Sequence, residues 1–211
     1  MSVLAVAKKG NLLQAPDMYM EKIAIGSNLP HNLIDLDFTV EKNVQLLSDA
    51  SGKSLDQITA CVLDRPRHGS IIKSLNKMGV KINLITDGDV SGVISVCSPK
   101  SNVDIYIGIG GAPEGVLAGA ALSCLGGQMQ TRLKYQNDSE KIKAQKLGIN
   151  DLHKKYNLLD MIKDDVIFSA TGVTDGDFVK GIKLREEYFD SETLVLHKSS
   201  KTNKIIKNKI N

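Results

Sequence analysis

The chain has 211 residues, 42% of them hydrophobic and 24% charged, with no tryptophan and a formal net charge of +3. That is the composition of an ordinary globular protein, long enough for one large domain or one and a half smaller ones, with a core built on Ile, Leu, Val and Ala. No apolar run approaches the roughly 20 residues of a membrane span, and the N-terminus lacks the basic and apolar segments of a secretory signal. The positive charge is concentrated in Lys198, Lys201, Lys204, Lys207 and Lys209, so the body is mildly acidic. No nucleic-acid partner and no membrane partner are expected, and the basic end reads as a solvated strand or a frayed tail. Cys61, Cys97 and Cys124 are odd in number and lie in apolar segments. They read as reduced thiols of a cytoplasmic protein, without disulfides or a zinc site.

In chain order, Ser2–Ala7 is a short apolar strand, and Lys8-Lys9-Gly10-Asn11 is a hairpin-type turn. Tyr19–Ile25 alternates as a second strand ending at Gly26. Val40–Ala50 has helical spacing, with Thr39 as N-cap. Ile58–Leu63 is a strand, Gly69–Met78 a helix stopped by Gly79, Val80–Ile85 a strand and Val90–Val96 a short helix. Val103–Ile107 is a strand and Pro113–Leu125 a helix. This strand–helix alternation predicts an α/β fold on a parallel sheet. Further on, Gly127–Leu133 reads as a strand, Ser139–Leu147 and Asp151–Met161 as helices, and Asp165–Ala170 as a strand. Thr193–His197 and Lys204–Ile210 close the chain as two strands or a strand and a tail.

Ligands of parallel α/β sheets bind beyond the carboxyl ends of the strands, and three such ends carry chemistry here. The first is Asp64-Arg65-Pro66-Arg67-His68. Two arginines around a proline present guanidiniums able to hold phosphate by paired, charge-assisted hydrogen bonds, or are simply solvated. His68 reads as an acid–base group or, more plainly, as a capping or solvated imidazole. The second is Thr86-Asp87-Gly88-Asp89. Its two carboxylates face sugar hydroxyls or a hard cation, or form a turn with Asp89 as N-cap. The third is Gly108-Ile109-Gly110-Gly111-Ala112-Pro113-Glu114-Gly115, a glycine-rich turn from strand to helix. It opens free N–H groups to an anion. Glu114 in its mouth calls for a cation between acid and anion, as in metal-assisted phosphate chemistry. A tight packing turn is the plainer reading. The spacing fits neither the dinucleotide fingerprint nor a P-loop.

Taken together with Leu4-Ala5-Val6-Ala7, Ala15-Pro16-Asp17-Met18-Tyr19-Met20-Glu21-Lys22 and Val166-Ile167-Phe168-Ser169-Ala170-Thr171-Gly172, these stretches resemble the class II fructose-1,6-bisphosphatases of the lithium-sensitive phosphatase superfamily. The resemblance runs in order along nearly the whole chain. It implies a layered α-β-α sandwich and hydrolysis of the 1-phosphate of fructose 1,6-bisphosphate in gluconeogenesis, in the cytoplasm, with Mg²⁺ or Mn²⁺. Sedoheptulose 1,7-bisphosphate is the alternative substrate, and a non-catalytic fragment the alternative role. The resemblance places Tyr19, Arg65 and Arg67 on the substrate phosphates, Asp87 and Asp89 on the sugar, Gly111 on the substrate and Glu114 at the metal. It assigns no catalytic residue that positions the attacking water.

Family members carry about a hundred further residues ahead of the point matching Met1, and these supply most metal carboxylates. The expectation is therefore a fold truncated at the N-terminus, with impaired turnover. Residues 1–30 would be remnant strands of a front domain, 31–190 a substrate-side domain, and 191–211 a strand and basic tail. The expected partners are a sugar bisphosphate, a separately encoded N-terminal half, or further copies in a homo-oligomer. An apolar strand edge left open at β-strand 2–7 would favour association.

Overall fold

The structure is a computed structural model and describes residues 1–210. Its elements in chain order are β1 (Ser2–Ala7), β2 (Tyr19–Ile25), α1 (Val40–Ser51), β3 (Thr59–Leu63), α2 (Gly69–Lys77), β4 (Lys81–Ile85), α3 (Asp89–Ile94), β5 (Ile105–Gly111), α4 (Ala112–Leu125), β6 (Gln128–Lys134), α5 (Asp138–Lys146), β7 (Lys155–Asn157), α6 (Leu158–Met161), β8 (Val166–Thr171), β9 (Lys183–Leu184), β10 (Phe189–His197) and β11 (Thr202–Ile210). Local signals set many of these ends. The Thr39 hydroxyl accepts the Lys42 N–H at 3.1 Å and starts α1. Gly79, at φ +75°, follows α2 where the chain must turn left-handed.

The strands form two sheets. One has the order β4-β3-β5-β2-β6-β7, and the other runs β1-β8-β10-β11 with β9 beside β10. In the first sheet β3 is parallel to β4 and β5, as the strand–helix alternation predicts. The expectation of an all-parallel sheet is corrected by β2, which lies between β5 and β6 and is antiparallel to both. α4 thus carries the chain from β5 to β6 across an inserted strand. Apolar alternation encodes which residues face inward but not strand direction, so this insertion leaves no local signal.

Two further expectations are corrected. The turn at 8–11 forms, with Asn11 N–H on the Lys8 carbonyl at 3.0 Å, but it joins no hairpin. β1 pairs with β8, while β2 enters the other sheet. The helix expected over Asp151–Met161 is instead β7 and the single turn α6. Tyr156, 5% exposed, is buried by pairing with Thr131, and this tertiary packing overrides the helical spacing. The basic end takes the first of its two expected forms, two strands: β10 and β11 make a nine-residue-a-side hairpin from Phe189↔Ile210 to His197↔Thr202. β1, β8 and β10 share one sheet, and β2 sits inside the other.

The layers follow from side-chain alternation. Ile23, Ile25, Val62 and Ile107 point to one face of the six-stranded sheet, where Val44 and Leu47 of α1 and Leu75 of α2 cover them. Ala24, Cys61 and Tyr106 point to the other face, against α3 and α4. Past its first turn, from Gly115 to Leu122, α4 is built of Ala, Gly, Val and Leu all round, so it can be buried on both sides. Its far side packs on Phe168, Ala170 and Leu196 of the second sheet. The result is a layered α/β sandwich of helices, sheet, helices and sheet. Cys61 is buried in it, and desolvation pushes its thiol up to about 12. The three cysteines are unpaired. Among the described residues no helix is long and apolar enough to cross a membrane.

Candidate active site

The carboxyl ends of β3, β4 and β5 lie side by side, and β2 begins at the same rim, where Tyr19 stands opposite Gly111. The glycine run is not a loop, which corrects the expectation of a strand-to-helix turn. Gly108 to Gly111 are the last four residues of β5, and α4 starts at Ala112 with no intervening residue. Part of the reason lies beneath them. A Cβ on Gly110 would fall 2.2 Å from Asp89 Oδ2 and 3.1 Å from Lys22 Nζ. The backbone there must therefore lie flat on a buried ion pair, and only glycine fits.

That pair is the floor of the site. Lys22 Nζ donates to Asp89 Oδ2, and Tyr106 Oη donates to Asp89 Oδ1. Lys22 has no exposed side-chain surface and Asp89 has 3%. Lys22 reaches this position because the even-numbered residues of β2 face the inter-sheet layer, where α3 begins with Asp89. Burial, followed by the Asp89 charge, holds the Tyr106 phenol far above its ordinary range, so it stays a protonated donor. Both oxygens of Asp89 are thus engaged by the protein.

Above the floor, residues 67 and 68 clamp one residue of β5. Arg67 Nε donates to the Ile109 carbonyl at 2.9 Å, and the Ile109 N–H donates to His68 Nε2 at 2.8 Å. His68 Nδ1 lies 2.7 Å from the Leu63 carbonyl. A carbonyl only accepts and an N–H only donates, so the proton sits on Nδ1 and the imidazole is neutral. Burial lowers its pKa, in keeping with that tautomer. His68 is fully buried and caps nothing with its side chain, which corrects the expectation of a capping or solvated imidazole. It is a cross-brace between the ends of β3 and β5.

The expected phosphate ligands are partly assembled on this brace. The exposed Arg67 guanidinium lies 4.8 Å from the centre of the Tyr19 ring, a cation–π contact, and its terminal nitrogens take no hydrogen-bond partner among the described residues. Arg65 donates from Nη1 to the Asp64 carbonyl at 2.8 Å. Asp87 is exposed in the turn between β4 and α3. Glu114 is exposed in the first turn of α4, where its Oε2 accepts the Gly111 N–H at 3.2 Å. Arg67, Tyr19, Gly111 and Glu114 are thereby brought to one rim, held by Ile109 and Gly111 two residues apart on β5. Asp87 stands at the same end, two residues from Asp89. Lys22 and Tyr106 were missed from sequence. Lys22 had a readable signal, a lysine on the inward face of a strand between Met20 and Ala24. The partner that explains it is 67 residues away.

A divalent ion needs several oxygen ligands at once. Among the described residues no group of three or more His, Cys, Asp or Glu side chains gathers in such a way. Glu114 offers one carboxylate, part of it already engaged by Gly111. The residues present do not by themselves fit a Mg²⁺ or Mn²⁺ centre.

Comparison with known proteins identifies a family. The family described as bacterial fructose-1,6-bisphosphatase, glpX-encoded, matches residues 1–210. A class 2 fructose-1,6-bisphosphatase of Haemophilus influenzae is 42% identical over 214 aligned residues, which span 95% of this chain and 64% of that protein. Fructose-1,6-bisphosphatase 1 class 2 of Escherichia coli K12 is 39% identical over 216, spanning 96% of this chain and 64% of the relative. The class 2 protein of Shigella flexneri gives the same figures. The chain thus spans slightly less than two thirds of the length of these relatives.

Proposed function

We propose a function from one premise: the chain belongs to the bacterial, glpX-encoded fructose-1,6-bisphosphatase family. The rim of β2, β3, β4 and β5 grips a sugar bisphosphate for hydrolysis of its 1-phosphate, as a cytoplasmic step of gluconeogenesis. Arg67 and Arg65 hold phosphate oxygens, with Tyr19 steering the Arg67 guanidinium by stacking. Asp87 accepts hydrogen bonds from sugar hydroxyls. Asp89 acts from beneath, keeping Lys22 and Tyr106 locked so that the glycine backbone of β5 stays flat under the substrate. Gly111 marks the edge over which the substrate approaches α4.

The observation that carries this reading is the double clamp on Ile109. It fixes Arg67 at the strand ends while leaving its terminal N–H groups open to an anion. Glu114 stands at the same rim and is proposed as this chain's share of a Mg²⁺ or Mn²⁺ site. The other ligands would come from polypeptide of the kind that fills the remaining third of the relatives' length, whether as a separately encoded half or as part of a longer chain. Phosphate monoester hydrolysis has one of the largest uncatalysed barriers known. The chain alone is therefore expected to bind the bisphosphate with little turnover.

The test is phosphate release from fructose 1,6-bisphosphate with Mn²⁺, by the chain alone and by the chain mixed with the part of the Haemophilus influenzae relative that it does not match. Activity should appear only in the mixture, and there Arg67→Ala should raise KM about tenfold or more. No activity in the mixture, or an unchanged KM, rejects the assignment. A second reading, a binding module without turnover in any context, is favoured by the thin ligand set around Glu114. It predicts bisphosphate binding by the chain and an inactive mixture. Sedoheptulose 1,7-bisphosphate in the same assay decides sugar length.

A further inference from the structure

The amino ends of the strands that carry the site hold a second feature, with which the proposed reaction has no connection. A cleft of about 910 Å³ opens between the two sheets, beneath Thr59 of β3, Lys81 of β4 and Val103 ahead of β5. Its other wall is the 176–180 loop and the β10–β11 hairpin. The five-residue strands β3 and β4 put this cleft about 15 Å from the rim described above.

Four lysines line it: Lys81, Lys100, Lys180 and Lys207. They come from four separate segments and both sheets, so they are not one solvated charged run. Two acids answer them. Glu192 is already engaged, by the Lys180 backbone N–H at 2.9 Å and by Lys207 Nζ at 3.6 Å. Asp177 is exposed at the mouth. The nearby Asp175 turns into its own loop and takes the Gly181 N–H at 2.9 Å. Lys81, Lys100 and Lys180 make no ion pair among the described residues. A smaller cavity of about 310 Å³ shares Lys180 and Lys207 and continues the trough to Lys183 and Lys209.

The wall is built rather than draped. The chain crosses itself so closely that a Cβ on Gly172 would lie 2.0 Å from the Lys180 carbonyl oxygen. Val179 is 2% exposed and anchors the loop in the inter-sheet core. A cleft lined by charges of one sign focuses the field and raises the local concentration of the opposite ion, here an anion. The size is that of a small-molecule site.

We propose that this cleft is a second anion site, taking a small molecule that bears two or more phosphate groups. The lysines hold the phosphates, and Phe178 and Ile205 provide an apolar flank for any organic body attached to them.

The probe is pyrophosphate, titrated into the ¹⁵N-labelled chain in an Arg67→Ala background that disables the first site. Amides of residues 98–103 and 176–181 should shift in a saturable way. Lys100→Glu combined with Lys180→Glu, both exposed and outside every core cluster, should weaken binding about tenfold. The charge-matched control Lys141→Glu with Lys143→Glu on α5 should change it less than about twofold. Fructose 1,6-bisphosphate in a parallel titration tells sugar-borne from inorganic phosphate, since the sugar compound binds more tightly only if the apolar flank contributes. Equal losses in the two double variants, or shifts confined to residues 64–68, overturn the proposal. So does tight binding of a short RNA with no pyrophosphate response. The Arg67→Ala background makes the result independent of the phosphatase assignment.

Discussion

Lys22 and Asp89 form an ion pair with almost no access to water, and Tyr106 completes it from the second carboxylate oxygen. Removing two charges from water costs several kcal/mol per ion, returned only when geometry and hydrogen bonds are complete. Breaking the pair from one side leaves an uncompensated charge in the core. Lys22→Met should therefore destabilise the chain by about 3–5 kcal/mol, read from the urea unfolding midpoint. Adding Asp89→Asn should return part of that loss, because the stranded charge is gone. A double variant less stable than Lys22→Met alone would mean that the pair is not the unit holding the glycine strand. The same pair explains what could and could not be read at the residue scale. The glycines, the arginines and Glu114 were legible because each is a chemically unusual choice where it stands. The buried roles of Lys22, Asp89 and His68 depend on partners 67, 17 and 41 residues away, which a local pattern does not contain.

Elements with a strong period or cap were legible almost to the residue: β2 spans Tyr19–Ile25 and α1 begins after Thr39, as their sequences predict. Elements defined by a partner were not. β7 exists because Lys155–Asn157 find β6, and β10 extends back to Phe189 because β11 runs beside it. The tip of that hairpin is tied to β8 by Asp165. His197 Nε2 lies 2.8 Å from its Oδ2, while the Ser199 N–H and hydroxyl donate to its two oxygens at 2.9 Å. The His197 hydrogen bond, followed by those of Ser199, holds the Asp165 carboxyl down to about 2, from an ordinary 3.8. A depressed carboxylate pKa means that the unfolded chain takes up the proton first as pH falls. The tie is therefore fully present above the ordinary value and is lost as pH drops through the folded one. The stability difference between the natural chain and Asp165→Asn should shrink as pH falls below about 4 and disappear only below about 2. Unfolding midpoints across that range check it, and a difference that grows on acidification would contradict the assignment.

At the scale of the whole molecule, the second sheet ends in two strands of opposite character. β11 carries Lys204, Lys207 and Lys209, and such charged edges resist pairing with another strand. β1 is Ser-Val-Leu-Ala-Val-Ala, with no charge and no proline, and its only partner among the described residues is β8. Leu4 and Val6 are 51% and 55% exposed, and on the same face Ile167 lies opposite Val6. The layered order accounts for this: α4 covers one face of the sheet through Val3, Ala5 and Ala7, and no described element covers the other. An uncharged edge beside an apolar face favours strand addition, whether by further polypeptide of the family or by a second copy. The isolated chain is accordingly expected to self-associate through β1 rather than β11. Leu4→Lys with Val6→Lys should shift sedimentation velocity profiles toward the monomer at little cost in stability, since both side chains are more than half exposed. Lys204→Val with Lys207→Val should act in the opposite sense by removing the charges that guard the other edge. If the β1 variant associates as strongly as the natural chain, the contact between copies lies elsewhere, and the open edge is satisfied by water alone.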